Sequence, residues 1–288
     1  MKKYKIGDFV FGIQMENDLE VPENFKQFEI DSQEPIQVEY RLNIVDKLPK
    51  LRGDCVSKRQ DLVVCKEEGL ESRRMNFVGM AEAYGVYQEV SQNQVFSYLR
   101  ADFLKMLKAD TVFLSLFALE KRMLKHEAMI LHCSVLKIKD GVLLFSGPSG
   151  IGKSTHADLW VKHRGARVIN GDRTLIQKID GTWMSRGWPI CGSSEICHNE
   201  EYPIKAVIFM GQASENRGSK LPYFGAVKEL ISQITANGWD QKFVEKIWTM
   251  VEDFAAEIPV YGYSCNMEEA AVDELEKLLS EIWSEKEL

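Results

Sequence analysis

The run Gly147-Pro148-Ser149-Gly150-Ile151-Gly152-Lys153-Ser154 constrains this chain more than any other feature. It satisfies G-x-x-x-x-G-K-[ST], follows an apolar run that reads as a strand, and opens a segment of helical spacing. In that context the pattern marks a phosphate-binding loop. Glycines let backbone N–H groups converge on phosphate oxygens, and the positive end of the following helix adds to the attraction. Lys153 is placed to reach the terminal phosphates, and the Ser154 hydroxyl to ligate Mg2+. The sequence therefore predicts a site for a nucleotide or polyphosphate.

A loop of this kind needs a sheet behind it, and the chain is long enough to build one. Its 288 residues are 45% hydrophobic and 27% charged, which fits a folded globular protein with two unequal domains. Lys and Arg total 36 against 43 Asp and Glu, a net charge of −7. That balance argues against a general nucleic-acid or anionic-membrane binder, because both need a positive footprint. The six cysteines are scattered without C-x-x-C pairs, the usage of free thiols in a reducing compartment. Cys191, Cys197 and His198 lack the spacing of a zinc site. No apolar run approaches the roughly 18 residues of a membrane span, and Asp8 interrupts the stretch after the basic start, so no signal peptide is expected. The expectation is a cytoplasmic protein.

Residues 1–100 read as a small, mainly antiparallel β domain, with strands at Asp8–Gln14, Ile36–Leu42, Asp61–Cys65 and Tyr84–Gln88. Glu68-Gly69 and Asn93 sit where turns belong. Residues 101–126 change to helical spacing and read as a helical connection, broken near Ala109-Asp110. Residues 127–288 alternate differently. Apolar runs at Ile130–Lys139 and Val142–Ser146 flank Asp140-Gly141, a hairpin signal whose two central residues take positive φ. A helix over Lys153–Arg164, a strand over Ala166–Asn170 and a meander through Trp183 follow. Next come a buried strand over Ala206–Met210, helices around Val227–Ala236 and Asp240–Ala256, a strand over Pro259–Ser264 and a helix from Glu268 to about Trp283. The fold class is mixed α/β.

Phosphoryl transfer also needs an acid near the metal and a group to handle the acceptor proton. Val168-Ile169-Asn170-Gly171-Asp172 brings a carboxylate to the end of the strand after the loop helix, so Asp172 is the expected metal-side acid beside Ser154. Asn-Gly-Asp is equally good turn chemistry. With Asp140-Gly141 as the hairpin loop, Lys139 pairs with Val142, Ser146 faces Val135 and Gly147 faces Ser134. His132 then lies two residues beyond, beside the phosphate loop, where contact with phosphate or a proton and plain core packing are both open. Arg186, in Ser185–Ser194, joins a cation to glycines and small hydroxyl residues and is a candidate for stabilising transferred charge. Arg217 is better read as solvated. His156, two residues after Ser154, reads as a surface residue of the loop helix.

Leu131-His132, an intervening strand pair, Gly147–Ser154 and Val168–Asp172, in this order, resemble the kinase domain of the HPr kinase/phosphorylase family and, more distantly, the ATP-type phosphoenolpyruvate carboxykinases. Ser154-Thr155-His156, Gly187-Trp188-Pro189, Gln212–Arg217 and Cys265-Asn266-Met267 resemble a group of uncharacterised bacterial relatives of that kinase. The resemblance implies a P-loop domain with a mixed sheet. It also implies ATP phosphates and Mg2+ held by Gly147, Pro148, Ser149, Gly150, Ile151, Gly152, Lys153, Ser154 and Thr155, with Asp172 on the metal. His132, Lys153, Asp172 and Arg186 are then the expected catalytic set.

The chain lacks that family's later signature for phosphorolysis, which argues against a bifunctional kinase/phosphorylase, and it departs from the kinase pattern at two residues. Gly171 stands where the kinases carry the first of two aspartates, the general base for the acceptor hydroxyl, and Thr155 replaces a common glutamate. The expected activity is an ATP- and Mg2+-dependent phosphotransferase acting on a hydroxyl of a peptide, protein or small metabolite, with a homo-oligomer allowed. The other class is a nucleotide-binding sensor that has lost catalysis, which Gly171 favours.

Overall fold

The computed structural model describes residues 1–16 and 19–280. It is mixed α/β and divides into two compact units, Met1–His126 and Glu127–Leu288. The first unit holds β1 (Lys2–Ile6), β2 (Phe9–Gln14), α1 (Glu23–Lys26), β3 (Glu29–Ile30), β4 (Val38–Val45), β5 (Asp54–Lys58), β6 (Leu62–Glu67), β7 (Leu70–Asn76), β8 (Ala83–Glu89) and β9 (Gln94–Arg100). They form one sheet in the order β3-β1-β2-β4-β9-β8-β7-β6-β5, antiparallel except where β4 pairs with β2 and β9. Alternation sets which face is covered: Val38, Tyr40 and Leu42 of β4 are buried while Arg41 is exposed. The Glu68-Gly69 turn joins β6 to β7 with both residues at positive φ, as a two-residue hairpin requires.

A 3-10 segment over Ala101–Lys108, α2 (Asp110–Ser115) and α3 (Leu119–Met123) belong to this unit rather than standing between two others. Phe113 and Phe117 pack edge-on against Phe25 and Tyr40. An ionic cluster lies beside them. Glu89 accepts hydrogen bonds from Lys121, Arg122 and the Tyr87 hydroxyl, and Arg73 pairs with Glu71 and Glu120.

The second unit contains β10 (Ala128–Ile138), β11 (Gly141–Ser146), α4 (Lys153–Arg164), β12 (Arg167–Asn170), β13 (Arg173–Ile179), β14 (Thr182–Arg186), β15 (Tyr202–Gln212), β16 (Arg217–Lys220), α5 (Tyr223–Gln233), α6 (Gln241–Glu257), β17 (Val260–Cys265) and α7 (Glu269–Leu278). The long strands β10 and β15 each serve two runs. One run is β12-β10-β11-β15-β17-β16 and the other β10-β13-β14-β15, so the sheets share both strands. Parallel pairing of β15 with β11 and β17 gives the sheet its mixed character. α4 and α7 contribute Ala157, Trp160, Ala271, Val272 and Leu275 to one core with Phe145, Ile208 and Tyr263 of the strands. The expected end of the last helix at Trp283 lies outside the described residues.

The β10–β11 hairpin differs from the sequence expectation by two positions. Ile138 pairs with Gly141 and Cys133 with Ser146, so the loop is Lys139-Asp140 and neither residue has positive φ. Gly141 is a strand residue. A Cβ there would stand 2.5 Å from the Pro203 carbonyl oxygen, so glycine serves close approach of β15 rather than turn geometry. Because the shift is two, every side chain keeps its face. α5 also starts earlier than expected, directly after Pro222, and it stops at Gln233 because Ile234 pairs with Leu131 of β10.

Candidate active site

The glycine-rich loop at residues 147–152 connects β11 to α4. Gly147, Gly150 and Gly152 have φ of +134°, +79° and +106°, a backbone that side chains resist. Gly152 is also crowded, since a Cβ would lie 2.4 Å from the Met267 methyl. No side chain caps the N-terminus of α4. Its first-turn N–H groups have no partner within the helix, and the helix dipole favours an anion in front of them. Gln212 donates to the Ile151 carbonyl at 3.3 Å and ties the loop to the end of β15.

Lys153 is buried, and its ammonium donates to the carbonyls of Gly147 (3.0 Å) and Pro148 (3.2 Å). Burial holds it below the usual lysine range, with Cys133 and Asp172 pulling the other way. Ser154 and Thr155 are exposed on the first turn. His156 faces the opposite side and is fully buried, which corrects the surface reading. Its ring lies edge-on to Phe145, its Nε2 accepts from the Trp160 indole at 3.3 Å, and burial pushes its pKa down to about 4.

The break between β12 and β13 builds the acidic side. Both strands run along the same edge of β10, and Asn170-Gly171-Asp172 turns between them. Asn170 organises the turn. Its side-chain oxygen accepts from the N–H groups of Asp172 (2.8 Å) and Arg173 (3.0 Å), and its amide nitrogen donates to the carbonyls of Trp188 and Ile190. The Cys133 N–H donates to the Asp172 carbonyl at 2.9 Å, pinning the turn to β10. The carboxylate then has two neighbours: Arg173 Nε donates to one oxygen at 2.9 Å, and His132 Nε2 faces the other at 3.6 Å.

His132 thus stands at the glycine-rich loop, level with Gly147 once the register is corrected, and beside Asp172. The carbonyl of His132 accepts from Ser146 at 2.8 Å. Its Nδ1 meets Gln233 Oε1 at 3.1 Å. Burial first, and then the charge of Lys153, lower its pKa, so the imidazole is held neutral against Gln233 and Asp172.

Arg186 does not join this group. Its guanidinium is bound instead to Gln177 of β13 (2.6 Å) and to Glu201, just before β15 (2.9 Å). The segment it introduces does arrive, through other residues. Cβ atoms built on Gly192 and Gly171 would lie 3.0 Å from Asp172 Oδ1 and 1.9 Å from Ser194 Oγ, so the Gly192–Ser194 turn covers Gly171-Asp172. Arg217 is exposed. Arg173, Gln233 and Thr235, which bonds Arg173 Nη1 at 3.1 Å, were not singled out by sequence. Only Arg173 carried a signal, as the cation directly after Asp172.

Among the described residues no three His, Cys, Asp or Glu side chains form a metal-holding group. The Ser154 hydroxyl on the first turn of α4 and the Asp172 carboxylate are oxygen donors of the type that Mg2+ takes together with phosphate oxygens and water.

No protein-family model matches the chain, and no curated protein matches it. Among solved structures it is similar to the Hpr(Ser) kinase/phosphatase from Coxiella burnetii. The two are 10% identical, with 53% of this chain and 94% of that one covered, at a TM-score of 0.31. No helix among the described residues is long and apolar enough to cross a membrane.

Proposed function

We propose that this protein transfers the γ-phosphoryl group of ATP, with Mg2+, to a hydroxyl of a peptide, protein or small metabolite. The observation that carries the reading is Lys153. A buried ammonium bonded to two carbonyls of its own loop, with no carboxylate partner among the described residues, is costly unless an anion complements it. Nucleotide phosphates in front of α4 would complement it. Lys153 and the α4 N-terminus then carry the phosphate charge, while Ser154 and Asp172 hold the metal, whose role is to neutralise charge on the transferred group. The acceptor hydroxyl gives its proton to the neutral His132 at Nε2. Because such transition states are loose, positioning and electrostatics supply most of the acceleration, and absence of a carboxylate at Gly171 slows transfer rather than abolishing it.

The test is transfer of γ-labelled phosphate from MgATP into a fractionated cell extract, comparing wild type with Lys153→Ala. Label that depends on Lys153 is expected, and the fraction carrying it identifies the acceptor class. Equal transfer by Lys153→Ala would overturn the proposal. One observation favours a second reading, a nucleotide-binding sensor: Ser194 fills the volume where a side chain on residue 171 would lie. Absence of label together with Lys153-dependent MgATP binding would select it.

A further inference from the structure

Gln233 is the last residue of α5, far from the phosphate loop in sequence, and three backbone contacts hold it next to His132. The N–H of Ile234 closes the helix on Leu230, Ile234 bridges Leu131, and the N–H of Thr235 donates to the Ile130 carbonyl at 2.9 Å. The segment after α5 is thus fixed to β10 just before His132. The Gln233 amide nitrogen donates to Ser232 Oγ at 3.1 Å, which leaves Oε1 to face the imidazole at 3.1 Å. An amide oxygen only accepts, so Nδ1 of His132 is the donor.

We propose that Gln233 is a positioning residue that fixes the His132 tautomer, placing the ring proton on Nδ1 and leaving Nε2 bare toward Asp172. A neutral imidazole carries one N–H, so occupation of Nδ1 empties Nε2. Nε2 and Asp172 Oδ1 are then two acceptors 3.6 Å apart, beyond hydrogen-bond range and both able to receive an O–H. The groups facing the ring are Lys153 from α4, Asp172 and Arg173 from the β12–β13 edge, and Gln233. Among these, Gln233 alone bonds Nδ1. In the opposite tautomer, Nε2 would carry its proton toward Asp172 and keep no lone pair for an acceptor hydroxyl.

The consequence for rate rests on the phosphotransfer reading; the tautomer does not, so the two fail separately. The experiment is nitrogen NMR of the full chain labelled at histidine, above the pH range where imidazole titrates, with His132→Asn used to assign the signal. Wild type is expected to show a protonated Nδ1 and a bare Nε2. Gln233→Glu keeps the acceptor and the tautomer, whereas Gln233→Leu moves the proton to Nε2 and lowers labelled transfer on the order of 10²-fold. A wild-type ring protonated at Nε2 overturns the inference without need of any variant, and so does an unchanged tautomer in Gln233→Leu. The expected tautomers with no Lys153-dependent transfer would leave the inference standing and remove the proposed function.

Discussion

Arg73 and Arg122 in the first unit and Lys153 in the second are all buried cations, and their surroundings differ in kind. Arg73 meets Glu71 and Glu120, and Arg122 meets Glu89, which also takes Lys121. Lys153 meets carbonyls. Six charged side chains of the first cluster cancel within the fold, so it is closed and structural. The second unit instead keeps a cation bonded only to carbonyls, a helix end without a side-chain cap, and His132 facing Asp172 at 3.6 Å. Internal compensation marks a strut, and on the function proposed above its absence around Lys153 is what bound phosphates would make good.

The sharpest way to break this contrast is to remove one partner from each region. Glu89→Ala leaves Arg122, 2% exposed, without its carboxylate, and loss of a buried partner costs about 3–5 kcal/mol. Chemical denaturation of the full chain should show that loss. Lys153→Ala removes a desolvated charge that has no acid to strand, so the same measurement should move by less than about 1 kcal/mol while MgATP binding is lost. Comparable destabilisation by the two variants would show that Lys153 is as structural as the arginines.

Two histidines in the second unit sharpen the contrast at smaller scale. His132 has partners turned toward the site, whereas His156 is enclosed by Phe145, Trp160 and Tyr263. Burial lowers the His156 pKa from 6.5 to about 4. The unfolded chain therefore binds a proton before the folded one does. The stability tied to neutral His156 is present above pH 6.5 and is lost as pH falls toward 4. The shift corresponds to about 3 kcal/mol. Wild type should lose that much more than His156→Leu between those pH values when stability is followed by urea titration. Equal losses would mean that water or a rearranged ring solvates the imidazolium in the folded state.

How far the sequence could be read follows the same division between local and distant causes. The positive-φ glycine loop between β11 and α4 and the Glu68-Gly69 turn are written in consecutive residues, and the backbone of both was legible. The Asp-Gly dipeptide shows where local reading stops. Asp180-Gly181 does form the positive-φ turn between β13 and β14, while Asp140-Gly141 does not, because Gly141 answers to Pro203, sixty-two residues away. Asp172 and His132 were singled out through their nearness to the loop in sequence or register, and the fold sets their side chains 3.6 Å apart. Gln233 and Thr235 reach the site through the pairing of Ile234 with Leu131, and no spacing rule reports such a pairing. Arg186 was misplaced for a related reason: composition suggested a ligand-facing loop, and the strand register delivered Gly192 and Ser194 instead.

Residue 171 offers the smallest and most selective test of the contrast. A carboxylate there would give the second unit an added acid of the kind that neutralises the first cluster, but a Cβ on Gly171 would meet Ser194 at 1.9 Å for Oγ and 2.5 Å for Cβ. The serine is itself held, donating to the Cys191 carbonyl at 2.8 Å and accepting from the Ile196 N–H at 3.2 Å. Gly171→Ala should therefore cost about 1–3 kcal/mol, the usual range for overpacking. Ser194→Gly should relieve part of that cost, giving a coupling in a double-mutant cycle that independent sites lack. For the same reason Gly171→Asp alone should not raise phosphoryl transfer, whereas Gly171→Asp combined with Ser194→Gly should. If Gly171→Asp alone raises transfer and costs no stability, the Gly192–Ser194 turn yields freely. The missing carboxylate, rather than the turn packed over it, would then be what separates this site from a faster one.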